Sequence, residues 1–343
     1  MSSHVKLLSR AAARPQRPDA FHWPRTPAAL RALPQLIDTR PDSGDEIRSG
    51  LGAETATLAP KFLYDALGSR LFDAITELPE YYLTRVERQV LDRARPDIAA
   101  AAGRGGTFID LGAGNCAKAA SLFDALAPSQ YVAVDIAEDM LSQSLNALRQ
   151  RHPEIEMIGL AQDFSSGLSL PPQVRAARRL FFYPGSSIGN FVPGDALRFA
   201  TMIRDHCGND GHLLLGVDLV KDPGILEAAY DDALGVTRAF NLNLLNHVNV
   251  LIGADFNLRD WAHRALYNRA QQRIEMHLEA LRDLVVTWPG GSRAFLAGER
   301  IHTENSYKFE LPDLAAMLRR AGFARVATWT DDRHWFGACL ASA

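Results

Sequence analysis

Thr107-Phe108-Ile109-Asp110-Leu111-Gly112-Ala113-Gly114-Asn115-Cys116-Ala117-Lys118 is the stretch whose reading decides the fold. Its first five residues read as a short buried strand with an acid near its end. A sharp turn follows at Gly112-Ala113-Gly114, and Asn115 stands where the N-cap of a following helix is expected. Glycine at these places lets the backbone take positive φ and come close to a ligand with no Cβ in the way. Strand, glycine turn and helix in that order form the first unit of a doubly wound α/β fold.

The turn admits more than one ligand. Gly112-x-Gly114-x-x-Ala117 fits the dinucleotide fingerprint, with Asp135 as the ribose-binding acid at the end of the next strand. S-adenosylmethionine (SAM) enzymes use the same turn with an acid just before the first glycine, and Asp110 supplies one. A tight corner with no ligand is the plain alternative.

Outward from the turn, strands recur at regular intervals. Residues 130–136 (QYVAVDI) carry Asp135 at their end, residues 155–160 lead to Asp163-Phe164, and residues 179–184 open into Gly185-Ser186-Ser187-Ile188-Gly189-Asn190. Residues 211–219 close the run with Asp218. Helical stretches at 139–151 and 196–206 alternate with them, which implies a parallel sheet with ligands beyond its strands' C-terminal ends. Asp110, Asp135, Asp163, Asn190 and Asp218 all fall at or just past those ends. An acid after the second strand can accept both ribose hydroxyls. An acid–aromatic pair after the third can hold the adenine amine and stack its ring, and Asp163-Phe164 is such a pair. Nicotinamide enzymes have no comparable demand for that second acid, so the balance favours SAM.

Composition sets the outer limits. The chain has 343 residues, 47% hydrophobic and 22% charged, as in an ordinary soluble globular protein of one large domain or two. A net charge of −3 gives no electrostatic case for nucleic acid. No run of about 18 apolar residues is present, so no membrane span is expected. Cys116, Cys207 and Cys339 are scattered and odd in number, which points to reduced thiols in a cytoplasmic protein, with no metal site. Cys116 reads as a small residue filling a tight corner.

Residues 1–45 are rich in Pro, Arg and Ala, with prolines at 15, 18, 24, 27 and 34. The Arg-rich opening has the flavour of a transit peptide, but without a sustained amphipathic pattern it reads as a flexible arm. Helices are expected over 61–76 and 84–102, separated by the proline-opened loop Leu78-Pro79-Glu80-Tyr81-Tyr82-Leu83-Thr84. From 223 to about 309 long helical text, at 224–249 and 260–283, interrupts the sheet as an insertion. Residues 300–309 alternate in strand fashion, which puts His302, Glu304 and Ser306 on one face. A helix over 311–321 and two closing strands, 325–330 and 335–342, end the chain as an antiparallel pair.

Several of these stretches together resemble one family. They are Lys61-Phe62-Leu63-Tyr64-Asp65, Leu78-Pro79-Glu80-Tyr81-Tyr82, Asp110-Leu111-Gly112-Ala113-Gly114, Gly185-Ser186-Ser187-Ile188-Gly189-Asn190, Ala229-Tyr230-Asp231-Asp232 and Thr303-Glu304-Asn305-Ser306-Tyr307-Lys308. The sequence resembles the histidine Nα-methyltransferases of ergothioneine biosynthesis, from about residue 50 to the C-terminus. The resemblance implies a class I SAM-methyltransferase sheet, formed by 103–223 and 311–343, with a substrate-binding lobe from 46–102 and 224–310. It implies trimethylation of the α-amine of L-histidine to hercynine. By position, Gly112, Gly114, Lys118, Asp135 and Asp163-Phe164 would bind SAM, with Tyr64 close to it. Asn190 and Tyr230 would hold the α-carboxylate and amine region, and with Tyr64 they form the catalytic set. Glu304 and Ser306 would hydrogen-bond the imidazole, assisted by Tyr81, with Met276 against the ring. A monomer taking a small amino acid, with no nucleic-acid or membrane partner, is expected. Two other readings stay open: an N-methyltransferase of the same family with another amine substrate, and a nicotinamide-dependent oxidoreductase or non-catalytic SAM-binding protein.

Overall fold

The computed structural model describes residues 43–165 and 167–343. The arm expected over 1–45 lies almost wholly outside the described residues.

Seven strands form the main sheet, in the spatial order Arg325–Thr330, Phe336–Ser342, His212–Asp218, Arg179–Tyr183, Thr107–Leu111, Gln130–Asp135, Glu156–Ala161. Only Phe336–Ser342 runs against the others, antiparallel to both its neighbours. Thr107–Leu111 is central, paired in parallel with Gln130–Asp135 on one side and Arg179–Tyr183 on the other. The order therefore reverses beside the glycine turn, and such a switch point opens a crevice at the strands' C-terminal ends.

The strands read as continuous apolar runs because the sheet is covered on both faces. Side chains alternate between two cores. Phe108, Phe182, Leu214 and Leu340 join one cluster with the helix Leu83–Ala102. Ile109, Phe181, Leu213 and Cys339 join the other, with the helices Pro193–Cys207 and Leu311–Arg320.

The insertion departs from the sequence expectation. Residues 260–283 are an antiparallel strand pair, Trp261–Asn268 with Arg273–Ala280, where a helix was expected. The segment is rich in Ala, Leu, Arg, Glu and Gln, all good helix formers. Yet Ile274, Met276, Leu278 and Ala280 alternate and are all at most 2% exposed, and that period of two prevails over propensity. Residues 224–249 are helical in two pieces, Pro223–Ala228 and Val236–Ile252. The break between them carries Tyr230. Strand Arg300–Tyr307 pairs with Arg273–Ala280 and, along its other edge, with the short strand Ala56–Thr57. A further hairpin, Leu284–Trp288 with Gly291–Phe295, closes around Pro289-Gly290.

Strand Arg300–Tyr307 carries a β-bulge between His302 and Glu304. The extra residue, Thr303, is buried and its hydroxyl donates to Met276 O at 3.0 Å. The bulge overturns the shared face expected for His302, Glu304 and Ser306. His302 bonds Asn305, three residues on, at 2.9 Å and meets the His277 ring at 5.2 Å, while Glu304 and Ser306 keep the opposite face.

Candidate active site

Strand Thr107–Leu111 delivers the chain into a turn in which Gly112 and Gly114 have φ of 70° and 51°. A Cβ on either would meet nothing within 4 Å, so the turn faces open space that a ligand can enter. Gly112 and Ala113 donate their N–H groups to Val134 O at 2.9 and 3.1 Å. Asp135 completes the arrangement, accepting from Gly114 N at 2.8 Å and from Ala137 N at 2.9 Å. Its oxygens keep lone pairs for hydroxyl donors. Asn115 Oδ1 accepts from Ala117 N at 3.0 Å, although the cap position itself falls to the buried Cys116 at φ 59°.

The helix after the turn is only Ala117–Ala120, a single turn. A dinucleotide pyrophosphate needs the aligned amides of a longer helix N-terminus, so the geometry suits a nucleoside without phosphates. Asp110 is 2% exposed and accepts from Tyr131 OH at 2.7 Å. Burial pushes its carboxyl up to about 7, with the Tyr131 bond pulling the other way. Asp110 therefore braces the sheet beneath the turn.

At the end of the neighbouring strand, Asp163 accepts from Ser165 N at 2.9 Å and from Lys61 Nζ at 2.8 Å. Lys61 also pairs with Glu46 at 2.6 Å, tying helix Ser43–Gly52 to this corner. Burial alone would raise the Asp163 carboxyl, but the Lys61 and Ser165 bonds outweigh it and hold it below the usual range. Phe164 packs edge-on against Tyr183, with centroids 5.7 Å apart. Sequence reasoning missed Lys61 in this role, because its partner lies 102 positions away.

A pocket nearby is lined by Tyr64, Tyr81, Asn190, Tyr230, Met276, Glu304 and Ser306 together. The sequence-predicted substrate residues thus converge from five separate stretches of chain. Phe72, Thr237 and Phe240 also line it and were not anticipated. Thr237 Oγ1 is buried without a hydrogen-bond partner, although its backbone N–H caps onto Asp232 at 2.7 Å. Helix-start position gave the only sequence signal, and it says nothing of a ligand.

Local packing fixes each side chain. Asn190 ends the short 3-10 turn Ser187–Asn190, pressed so close to the next sheet that a Cβ on Gly189 would lie 2.8 Å from Tyr307 O. Glu87, 1% exposed on the helix Leu83–Ala102, accepts from Gly185 N at 2.6 Å and from Lys118 Nζ at 2.6 Å. Lys118 therefore joins the glycine-turn helix to the Gly185 loop. A Cβ on Gly216 would meet Glu87 Oε1 at 2.1 Å, which requires glycine in that strand. Tyr64 packs edge-on against Phe72 and Phe240, both at 5.5 Å.

Charge in the pocket is uneven. Glu304 is 7% exposed and its carboxylate has no hydrogen-bond partner among the described residues. Burial pushes it up to about 7, with Lys308 pulling down. Burial, then Tyr230, Glu304 and Asp218, hold the Tyr81 phenol far above its ordinary range; burial, then Asp218 and Glu304, do so for Tyr230, and burial, then Glu304, for Tyr64. These phenols are donors at neutral pH and not bases. Behind them Tyr230 OH and Ser306 Oγ lie 2.7 Å apart, and Lys308 Nζ reaches both. Lys308 in turn pairs with Asp218 at 2.8 Å, and Asp218 also holds Lys221 and Tyr82 OH.

A seven-stranded sheet with one reversed strand, and a glycine turn with acids at successive strand ends beyond it, have the architecture of a class I SAM-dependent methyltransferase. The chain belongs to the histidine-specific, SAM-dependent methyltransferase family, whose sequence model matches residues 43–343. It is 40% identical over 302 residues to the histidine N-alpha-methyltransferase of Mycolicibacterium smegmatis, covering 86% of this chain and 93% of that one. Against the Mycobacterium tuberculosis protein of the same name the identity is 39% over 310 residues, covering 87% and 94%. The ergothioneine biosynthesis protein 1 of Neurospora crassa is 31% identical over 278 residues, covering 78% of this chain and 31% of that longer protein.

Proposed function

We propose that this enzyme methylates the α-amino group of L-histidine, three times in succession, to give hercynine for ergothioneine synthesis. The observation that carries this reading is Glu304: a buried carboxylate with no partner, facing a pocket whose neighbouring polar group is a pair of hydroxyls. An imidazole offers one N–H and one lone pair and fills both needs. An apolar or indole ring leaves one of them unpaired, at roughly 1–3 kcal/mol.

The open glycine turn fits the methyl donor. Gly112, Gly114 and Asp135 would hold its ribose, Asp163 and Phe164 its adenine, with Lys118 and Tyr64 completing the site. When bound, SAM supplies an electrophilic methyl group on a sulfonium centre. The chain's own part is alignment. Asn190 and Tyr230 hold the carboxylate and amine region, Tyr64 stands near the transferring group, and Glu304, Ser306, Tyr81 and Met276 fix the ring. With the phenols protonated, the amine must lose its proton to water or on the way into the pocket. The second lobe, 46–102 and 224–310, is the substrate-binding part. Three buried free thiols support a reducing, cytoplasmic setting, and the reading is of a monomer that takes a small amino acid, without nucleic acid or membrane.

An amino-acid panel with SAM, read by mass spectrometry, tests the proposal. Histidine should advance to the trimethyl product. Methylation of another amine with histidine untouched would discard the substrate assignment and keep the cofactor site.

A further inference from the structure

Glu87 is a buried acid outside the binding residues assigned so far. It reaches from the helix Leu83–Ala102 over the C-terminal ends of the main sheet's strands, and both of its oxygens are taken. Oε1 accepts from Gly185 N at 2.6 Å, and Oε2 accepts from Lys118 Nζ at 2.6 Å. The two donors belong to different sides of the crevice. Lys118 stands on the helix Ala117–Ala120 that follows the glycine turn, while Gly185 opens the segment 185–190, which brings Gly185 and Asn190 into the pocket. The partners also crowd each other, since a Cβ on Gly185 would lie 3.1 Å from Lys118 Nζ. Gly216 leaves the space that the acid fills, and a side chain there would run into Oε1. Gly185 and Ser186 have φ of 73° and 61°, two left-handed residues in succession. Such backbone keeps its shape only where its surroundings hold it. Here Glu87 holds Gly185 N, and Gly216 O holds Ser186 N at 3.1 Å.

We infer that Glu87 is a positioning residue which ties the cofactor helix to the segment 185–190 and so sets the separation between methyl donor and amine. This rests on the reading of Lys118 as a cofactor residue and of Asn190 as a substrate residue. In-line transfer needs nitrogen, methyl carbon and sulfur on one line, and a misplacement of about 1 Å can cost about 100-fold in rate. A single carboxylate bonded to both sides fixes that spacing. Each side keeps its own footing without it. The glycine turn stays on Val134 O and on Asp135, and the segment 185–190 stays on Gly216 O and, through the Ser186 hydroxyl, on Asp218 N at 2.9 Å. Loss of the link therefore spares the two binding sites and removes their alignment.

The test is Glu87→Gln in the full chain. The amide oxygen still takes the Gly185 N–H, so no buried donor is orphaned, while its NH2 group cannot accept from Lys118. Two quantities are read: the Kd of SAM and of L-histidine by calorimetric titration, and the rate of a single methyl transfer with both ligands saturating. The saturated rate should fall about 10- to 100-fold, with each Kd within about 3-fold of wild type. A purely structural role moves the affinities or the folded fraction and leaves the saturated rate of the bound enzyme alone. A saturated rate equal to that of wild type overturns the inference, and so does a rate loss matched by an equal loss of affinity for either ligand. Should Glu87→Gln fail to bind SAM, Glu87→Asp, which keeps the charge but is too short to span both partners, is read and judged in the same way. Failure of both variants to bind SAM makes Glu87 a folding residue and overturns the inference. If wild type methylates another amine and leaves histidine untouched, the substrate reading fails, and the same comparison with that amine judges Glu87 separately. A wild type that methylates no amine overturns both.

Discussion

The glycine turn and the pocket around Glu304 treat their polar groups in opposite ways. At the turn, both oxygens of Asp135 accept backbone N–H groups, and both oxygens of Asp163 have partners in Lys61 and Ser165. In the pocket, Glu304 and Thr237 Oγ1 have none. On the proposed reading the cofactor side is complete before its ligand arrives, and the spare lone pairs of the acids would do the binding. The substrate side is left unsatisfied, so that only a ligand of the right polarity removes the cost of burial. The first arrangement favours tolerance of a common cofactor, and the second favours discrimination among amino acids.

Substitutions that separate the two sides give the sharpest contrasts. The largest effect is expected for Glu304→Ala: histidine affinity should fall about 100-fold with SAM affinity unchanged, read by calorimetric titration of each ligand. Equal losses for both ligands would merge the two regions into one site and refute the contrast.

Next in size is a stability effect of the unsatisfied acid. Glu304 stands at about 7 in the folded chain against 4.5 for the free group. The folded state therefore holds its proton between those values while the unfolded state has lost it. Stability falls as pH rises through that window, and the whole penalty is present above pH 7. Glu304→Gln should match wild type near pH 4.5 and exceed it at pH 8 by about 1–3 kcal/mol, in denaturant titrations at the two pH values. A variant less stable than wild type at pH 8 would mean that the carboxylate is not strained there.

On the satisfied side, Asp135→Ala removes the acceptor for Gly114 N and Ala137 N. SAM affinity should drop about 10-fold, read by the same calorimetric titration. The smallest effect belongs to Lys61→Met. Asp163 keeps Ser165 N, so SAM affinity should weaken only about 2- to 5-fold, and an effect as large as that of Asp135→Ala would show Lys61 to be part of the binding surface.

Legibility in the sequence follows the same division. The cofactor side is local: Gly112, Gly114 and Asp135 lie within 24 residues of one another and have a fixed strand–turn–helix setting. Pattern alone was enough to propose them. The pocket residues were found through family resemblance, because Tyr64, Asn190, Tyr230 and Glu304 share no periodicity and meet only after folding. Where pattern was read directly, two of its failures bear on the pocket strands. Helix-forming composition hid the strand alternation of Ile274, Met276, Leu278 and Ala280. The bulge at Thr303 turned His302 away from Glu304, and no residue type announces such a bulge.

By itself, then, the sequence determined the strand rhythm, the glycine turn and the acids at the strand ends, because those depend on backbone sterics and on periodicities of two and 3.6 residues. Tertiary structure alone decided which polar groups would be satisfied. Lys61 reaches Asp163 across 102 positions, Glu87 fastens Gly185 across 98, and Lys308 is held by Asp218 next to the Tyr230 hydroxyl, 78 positions away. Hydrogen bonding depends on distance and direction between groups that only the folded chain brings together, so the unpaired carboxylate of Glu304 could be recognised only there.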